Sequence, residues 1–211
     1  MPYKLVLFDF DGTLADSFPW FLELANKAAA QYRFARIEEA DTERLRGYGA
    51  RQVMAHLGMA PWKAPRVARF MRRQMAMEMD RISLFPGVDL LLEGLFQKGV
   101  TIAVVSSNSE ENIRRMLGAR LSAFVRYYEG GISMFGKRHK LRKVLEASGV
   151  QPAEALAIGD EIRDLEAARA AGIPFGAVTW GYTRADALVA CSPEEVFTRV
   201  EEILERSTLW A

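Results

Sequence analysis

The sequence predicts a three-layer α/β sandwich, a parallel sheet between two layers of helices, with a helical cap inserted after the first strand. Three observations predict it. Short apolar segments of strand length recur along the chain, helical stretches separate the later ones, and the interval after the first has helical spacing throughout.

Taken in order, Lys4 to Phe10 is a short apolar run rich in β-formers, the pattern of a strand covered on both faces. Further strands are predicted over 100–106, 124–128, 155–159 and 175–180. Helices are predicted over 88–98, 109–118, 137–148 and 163–171. Strands that alternate with helices imply right-handed crossovers and hence a Rossmann-like parallel sheet. The endings SGV at 148–150 and AGI at 171–173 read as helix stops.

From Phe18 to Ser83 no strand is predicted. Val67, Phe70, Met71, Met75 and Met79 recur at helical spacing, with Arg66, Arg69, Arg72 and Arg73 in intervening positions. That methionine-rich stripe reads as packing within the insert rather than a cofactor site. At LFPGV, residues 84–88, Pro and Gly punctuate the return to the core. The expected division is therefore a core of 1–16 and 84–211 with a cap of 17–83. No internal repeat or low-complexity tract is visible.

The 211 residues suit one large domain or a core with a smaller insert. Half are apolar and 26% charged, as in an ordinary soluble protein. No apolar stretch approaches a membrane span, and the start MPYKLVLFDF lacks the sections of a signal peptide. The lone Cys191 cannot form an internal disulfide, so a cytoplasmic location is expected. With no histidine near it in sequence, Cys191 reads as a small packing residue rather than a nucleophile. Net charge is +1, but residues 17–86 carry 12 Lys and Arg against 7 Asp and Glu. A basic insert facing an acidic core suits a small anionic substrate, although solvated helix faces account for the charge on its own. Neither nucleic acid nor membrane is expected as a partner, and the oligomeric state is not legible.

The chemistry gathers at the predicted strand ends, where open α/β sheets bind ligands. Asp9 and Asp11 stand two apart, so in extended chain both carboxylates project from one side. Such a pair repels, and one member takes up a proton unless a cation or a reaction uses it. The plain alternative is a strand end with an Asx turn. Against it, the second strand ends in Ser106-Ser107-Asn108, and the fourth ends in Gly159-Asp160-Glu161 with Asp164 one turn later. Carboxylates converging on one crevice require a cation, and oxygen ligands of this kind suit Mg²⁺.

DFDGTL at 9–14, VVSSN at 104–108, a lysine near 137 and GDEIRD at 159–164 occur in the order found in the haloacid dehalogenase-like (HAD) hydrolases. The chain resembles their phosphoglycolate-phosphatase-like branch, to which WGY at 180–182 and AARAAGI at 167–173 are also similar. The resemblance spans residues 3–17 and 84–206; the cap matches only in size, position and helical character. It implies that Asp9 attacks phosphorus and forms an aspartyl-phosphate. Asp11 would protonate the leaving oxygen and later deprotonate water. Asp9, the carbonyl of Asp11 and Asp160 would hold Mg²⁺, with Asp164, and in some readings Glu161, ordering its waters. Ser106 and the amides of Ser107 and Asn108 would bind phosphoryl oxygens, and Lys137 would bind substrate and offset transition-state charge. The lysine motif reads FGKRHK without the Pro common in this branch, so Lys140 competes with Lys137. Lys137 is preferred because it stands just after FG at the helix start. Arg138 and His139 read as an exposed first turn.

The resemblance implies a Mg²⁺-dependent phosphatase of a small monoester similar to 2-phosphoglycolate. Asp11 argues against a dehalogenase and against a phosphonatase, and a P-type pump would show DKTGT and membrane spans. The alternatives are a sugar phosphomutase of the same superfamily and a catalytically silent HAD-fold binding protein. Arg46, Tyr48, Arg51 and Lys63 are the cap side chains that could touch substrate, each against a structural or solvated reading.

Overall fold

The computed structural model describes residues 3–131 and 136–207. Strand β1 (Leu5–Phe8) is fully buried and alternates its side chains between two apolar cores. Val6 and Phe8 join one cluster, which takes Leu91, Leu92 and Leu95 of α5 (Val88–Gln97) and Ile113 and Leu117 of α6 (Glu110–Ser122). Leu5 and Leu7 join the other, which takes Leu141, Val144 and Leu145 of α7 (Lys137–Ser148) and Leu165 and Ala168 of α8 (Ile162–Ala171). A strand apolar on both faces demands this double cover, and the three-layer sandwich follows.

The central sheet has six strands: β4 (Thr101–Val105), β5 (Val125–Glu129), β6 (Ala155–Gly159), β7 (Phe175–Val178) and β8 (Glu195–Phe197) join β1 in the order β5-β4-β1-β6-β7-β8. Every pairing in it is parallel. The chain winds outward from β1 first on one side and then on the other, the Rossmann-like arrangement whose crevice opens beyond β1. The remaining helices near the C-terminus are α9 (Ala185–Val189) and α10 (Val200–Arg206), the latter packed on α5.

Two short segments, β2 (Ala15–Asp16) and β3 (Ser83–Leu84), pair antiparallel where the chain leaves the core and returns. Between them lie α1 (Phe18–Tyr32), α2 (Glu39–Leu45), α3 (Ala50–His56) and α4 (Ala64–Glu78). Val67, Met75 and Met79 are buried. Met75 belongs to the cluster of Val6 and Phe8, with Phe70 and Met71 packed against it. The stripe therefore packs on the main core as well as within the insert. No described helix is long and apolar enough to cross a membrane.

Three expectations need correction. The sheet has a sixth strand, β8, which a three-residue edge segment within SPEEVFT does not announce by periodicity. Ser83–Leu84 is a strand, although too short to show a pattern. The helix expected to stop at residue 118 breaks at Gly118 (φ 67°) and resumes to Ser122. The helix stops after α7 and α8 take the left-handed conformation at Gly149 and Gly172, where glycine lacks the Cβ penalty. Cys191 packs against the second core and donates its thiol to the Ala187 carbonyl.

The sixth strand seats tightly. A Cβ on Gly176 would lie 2.7 Å from Cε2 of the fully buried Phe197. Gly176→Ala should cost about 1–3 kcal/mol, a lowering of Tm by several degrees in a thermal melt. An unchanged Tm would contradict this close packing of β8 on β7.

Candidate active site

Register brings the acidic residues together. Phe8 pairs with Val104 on one side and with Ile158 on the other. The next residues along these three neighbouring strands lead directly to Asp9, Ser106 and Asp160. Asp9 continues the ladder, its N–H donating to the Ile158 carbonyl at 2.8 Å. Asp164 enters from the first turn of α8, where its carboxylate accepts the Glu161 N–H and helps cap the helix.

Asp9, Asp160 and Asp164 are all buried, and one carboxylate oxygen of each lies within 4.8 Å of the others. Burial pushes the Asp9 carboxyl up, the Lys137 charge pulls it back, and Asp164 pushes it up again. Burial likewise holds Asp160 well above the usual carboxylate range, with Glu161, Asp9 and Asp164 adding to the effect. Asp11 stands beside the trio; burial, then the charge of Asp9, push its carboxyl up to about 7. Its Oδ1 is buried without a hydrogen-bond partner among the described residues. A donor set of hard oxygens with excess buried negative charge fits a divalent cation such as Mg²⁺.

One cation is built in. Lys137, at the first position of α7, places Nζ 2.9 Å from Asp9 Oδ1 and 2.7 Å from Asp164 Oδ1. Burial alone would lower its pKa, but Asp164 and Asp9 together hold it above its ordinary value. Lys140 is directed elsewhere: it donates to the Gly130 carbonyl and faces Glu129 at the end of β5. Arg138 and His139 are exposed. Phe135, the first residue of the FG pair, lies outside the described residues.

Beyond β4, Ser106 is fully buried and its Oγ accepts the Asn108 N–H at 3.1 Å, with Ser107 half-buried between them. Asn108 Oδ1 accepts from Ser109 N and Asn112 Nδ2, while its buried Nδ2 has no hydrogen-bond partner among the described residues. An orphaned amide donor next to a buried hydroxyl suits an anionic oxygen.

Sequence reasoning assigned no role to the residues that hold Asp160. Thr13 Oγ1 donates to its Oδ1 at 2.8 Å, and the Tyr182 N–H donates to its Oδ2 at 2.7 Å. Gly12, at φ 78°, and Gly181 allow this approach, since a Cβ on either would lie within 2.3 Å of an Asp160 atom. Trp180 Nε1 donates to the Thr13 carbonyl, and Ser17 Oγ and Tyr182 Oη lie 2.8 Å apart. Arg163 pairs with Glu161, and its guanidinium pKa is raised by Glu161, Asp164 and Asp9 despite burial. The threonine of DFDGTL and the WGY stretch were the available signals, though a backbone amide cannot be read from residue type.

The four side chains singled out in the insert separate. Lys63 Nζ donates to the carbonyls of Tyr32 and Arg33, closing the end of α1. Tyr48 and Arg51 are exposed, the Tyr48 ring standing edge-on to His56. Arg46 bonds the core, at the carbonyls of Gly181 and Tyr182.

The profile of the haloacid dehalogenase-like hydrolase family matches residues 6–178. A phosphoglycolate phosphatase of Synechococcus elongatus is 34% identical over 206 residues, 97% of each chain. One from Rhodospirillum rubrum is 31% identical over 196 residues, 86% of this chain and 81% of that one. Among solved structures, a candidate phosphoglycolate phosphatase from Lactobacillus plantarum superposes with a TM-score of 0.83 at 26% identity, covering 97% of this chain and 99% of that one. The chain therefore belongs to the haloacid dehalogenase-like hydrolases, in their phosphoglycolate-phosphatase-like branch.

Proposed function

We propose that this phosphatase hydrolyses a small, 2-phosphoglycolate-like phosphate monoester, with Mg²⁺ and through an aspartyl-phosphate on Asp9. One observation carries the reading: Lys137 is fixed between Asp9 and Asp164 at the rim of a buried carboxylate cluster. The relatives named phosphoglycolate phosphatases support the monoester class. On this reading residues 17–83 form a cap over the site.

An Asp9 carboxylate oxygen attacks phosphorus as the phosphorus–ester oxygen bond breaks. Asp11 gives its proton to the departing oxygen. Water then attacks the same phosphorus, Asp11 takes the water's proton, and the Asp9–phosphorus bond breaks to release inorganic phosphate. Asp11, with a carboxyl raised to about 7, is suited to both transfers. Ser106 and the amides of Ser107 and Asn108 hold the phosphoryl oxygens, and Lys137 offsets their charge. Asp9, the Asp11 carbonyl and Asp160 would hold Mg²⁺, with Asp164 in its outer shell. When bound, the ion neutralises phosphoryl charge and relieves repulsion among the carboxylates.

Supplied with 2-phosphoglycolate and Mg²⁺, the protein should release inorganic phosphate, and Asp9→Asn should lower kcat at least about 10³-fold while its circular dichroism melt stays cooperative. Near-normal turnover by folded Asp9→Asn contradicts the assignment of the nucleophile.

Chelator should abolish turnover, and Asp160→Ala should raise the Mg²⁺ concentration needed or abolish activity outright. Asp164→Ala should leave a weaker activity that excess Mg²⁺ partly restores. A chelated, dialysed preparation working at full rate would show that the acidic cluster does not serve a metal.

A further inference from the structure

The amide joining Gly181 to Tyr182 is hydrogen-bonded at both ends by charged side chains. At its carbonyl, Arg46 Nη2 donates to Gly181 O at 2.7 Å. At its N–H, Tyr182 donates to Asp160 Oδ2, also at 2.7 Å. A trans peptide is planar and points its C=O and N–H in opposite directions. The guanidinium and the carboxylate therefore grip one stiff plate from opposite sides. Both bonds are charge-assisted and polarise the amide in the same sense, so each strengthens the other.

The surroundings leave this plate little freedom. A Cβ on Gly181 would lie 2.2 Å from the Asp160 Cβ, so only glycine lets the backbone come this close. Arg46 Nε also donates to the Tyr182 carbonyl at 3.2 Å, which fixes the following peptide unit. Its Nη1 pairs with Glu43 and its guanidinium lies 5.1 Å from the centre of the Phe18 ring. The carbonyl of Arg46 accepts the Arg184 N–H at 2.9 Å, so the clasp closes in both directions. With Thr13 on Oδ1, both oxygens of Asp160 have assigned donors.

We propose that Arg46 is a positioning residue for Asp160. Through the Gly181–Tyr182 amide it fixes the rotation of that carboxylate, so the divalent-cation affinity of the Asp9–Asp160–Asp164 cluster depends on Arg46 being seated. The inference rests on the metal-site reading of that cluster. Because Arg46 follows α2, metal loading is coupled to the docking of the helical insert against the segment 180–184. A residue that merely tethered the insert would change stability and leave metal affinity alone.

The test is calorimetric titration of the metal-stripped full chain with Mg²⁺ alone. Arg46→Ala should weaken binding about tenfold, the effect typical of removing a group that orients a ligand. Arg46→Lys should fall between, because an ammonium keeps the charge but lacks the planar fork that meets the Gly181 and Tyr182 carbonyls through two separate nitrogens. Arg184→Ala removes the neighbouring side-chain bond to the Glu43 carbonyl without touching the amide, and should bind Mg²⁺ like the wild type. Asp160→Ala is the reference and should lose binding. Wild-type affinity in Asp160→Ala would refute the metal-site reading itself. Lost binding in Asp160→Ala with wild-type affinity in Arg46→Ala would overturn the positioning role alone, whatever the change in Tm. If Arg46→Ala does not fold, Arg46→Met, which keeps an aliphatic stem over Phe18, carries the same measurement with the same outcomes.

Discussion

Carboxylates that repel one another share the buried end of three neighbouring strands, and the surrounding architecture answers that repulsion. Asp9 and Asp160 are delivered by register, since β1 and β6 pair in parallel with Phe8 opposite Ile158. Asp164 arrives from the first turn of α8, bound to the Glu161 N–H. Desolvation pushes Asp9 and Asp160 toward their neutral forms. Lys137 counters this for Asp9 and pairs with Asp164, and its burial is tolerable only because two carboxylates face it. The balance remains negative. That residue of charge supports the proposal of a cation site, and the raised pKa of Asp11, with an Oδ1 unpartnered among the described residues, supports the proposal that it is the proton donor.

A cluster of this kind works only if its members cannot swing apart, and the backbone supplies much of the restraint. Asp160 is held by a threonine from the turn after β1 and by an amide from the segment after β7. The glycines on either side of it are matters of space, since a methyl group at Gly12 or Gly181 would overlap the carboxylate. The segment 180–184 thus faces two ways, toward the acidic cluster and toward Arg46 of the insert. Tyr182 adds aromatic contacts with Phe18 and Phe21 at centroid separations near 5 Å. Charge, packing and topology meet in these few residues.

Much of this was legible in the sequence because it is carried by periodicity and residue type. A strand apolar on both faces announces a doubly covered sheet, and β6, α7 and the end of α8 lie where the sequence places them. Paired aspartates after a hydrophobic strand, followed by glycine, announce a site at the strand ends. What stayed hidden has no such signature. Strand β8 is three residues on a sheet edge, with too few positions to alternate. The donors to Asp160 are a hydroxyl four residues beyond Asp9 and a backbone N–H that any residue but proline provides. Lys137 and Lys140 are equally charged neighbours on one helix; only the three-dimensional placement of Asp9 and Glu129 distinguishes their partners. Arg46 read as one of four insert side chains that could touch substrate, against a structural or solvated reading, and its contacts depend on the fold of a segment 135 residues further along the chain.

The central claim is that a carboxylate oxygen of Asp9, rather than water, first takes up the phosphoryl group. The stereochemical course at phosphorus tests it most directly, because each in-line displacement inverts configuration and does so whether or not an intermediate accumulates. A phosphate monoester made chiral at phosphorus with oxygen isotopes and sulfur would be hydrolysed in isotopically labelled water, and the configuration of the released thiophosphate determined. Two displacements through Asp9 predict overall retention. Inversion would mean that water attacks the substrate directly, and would contradict the account.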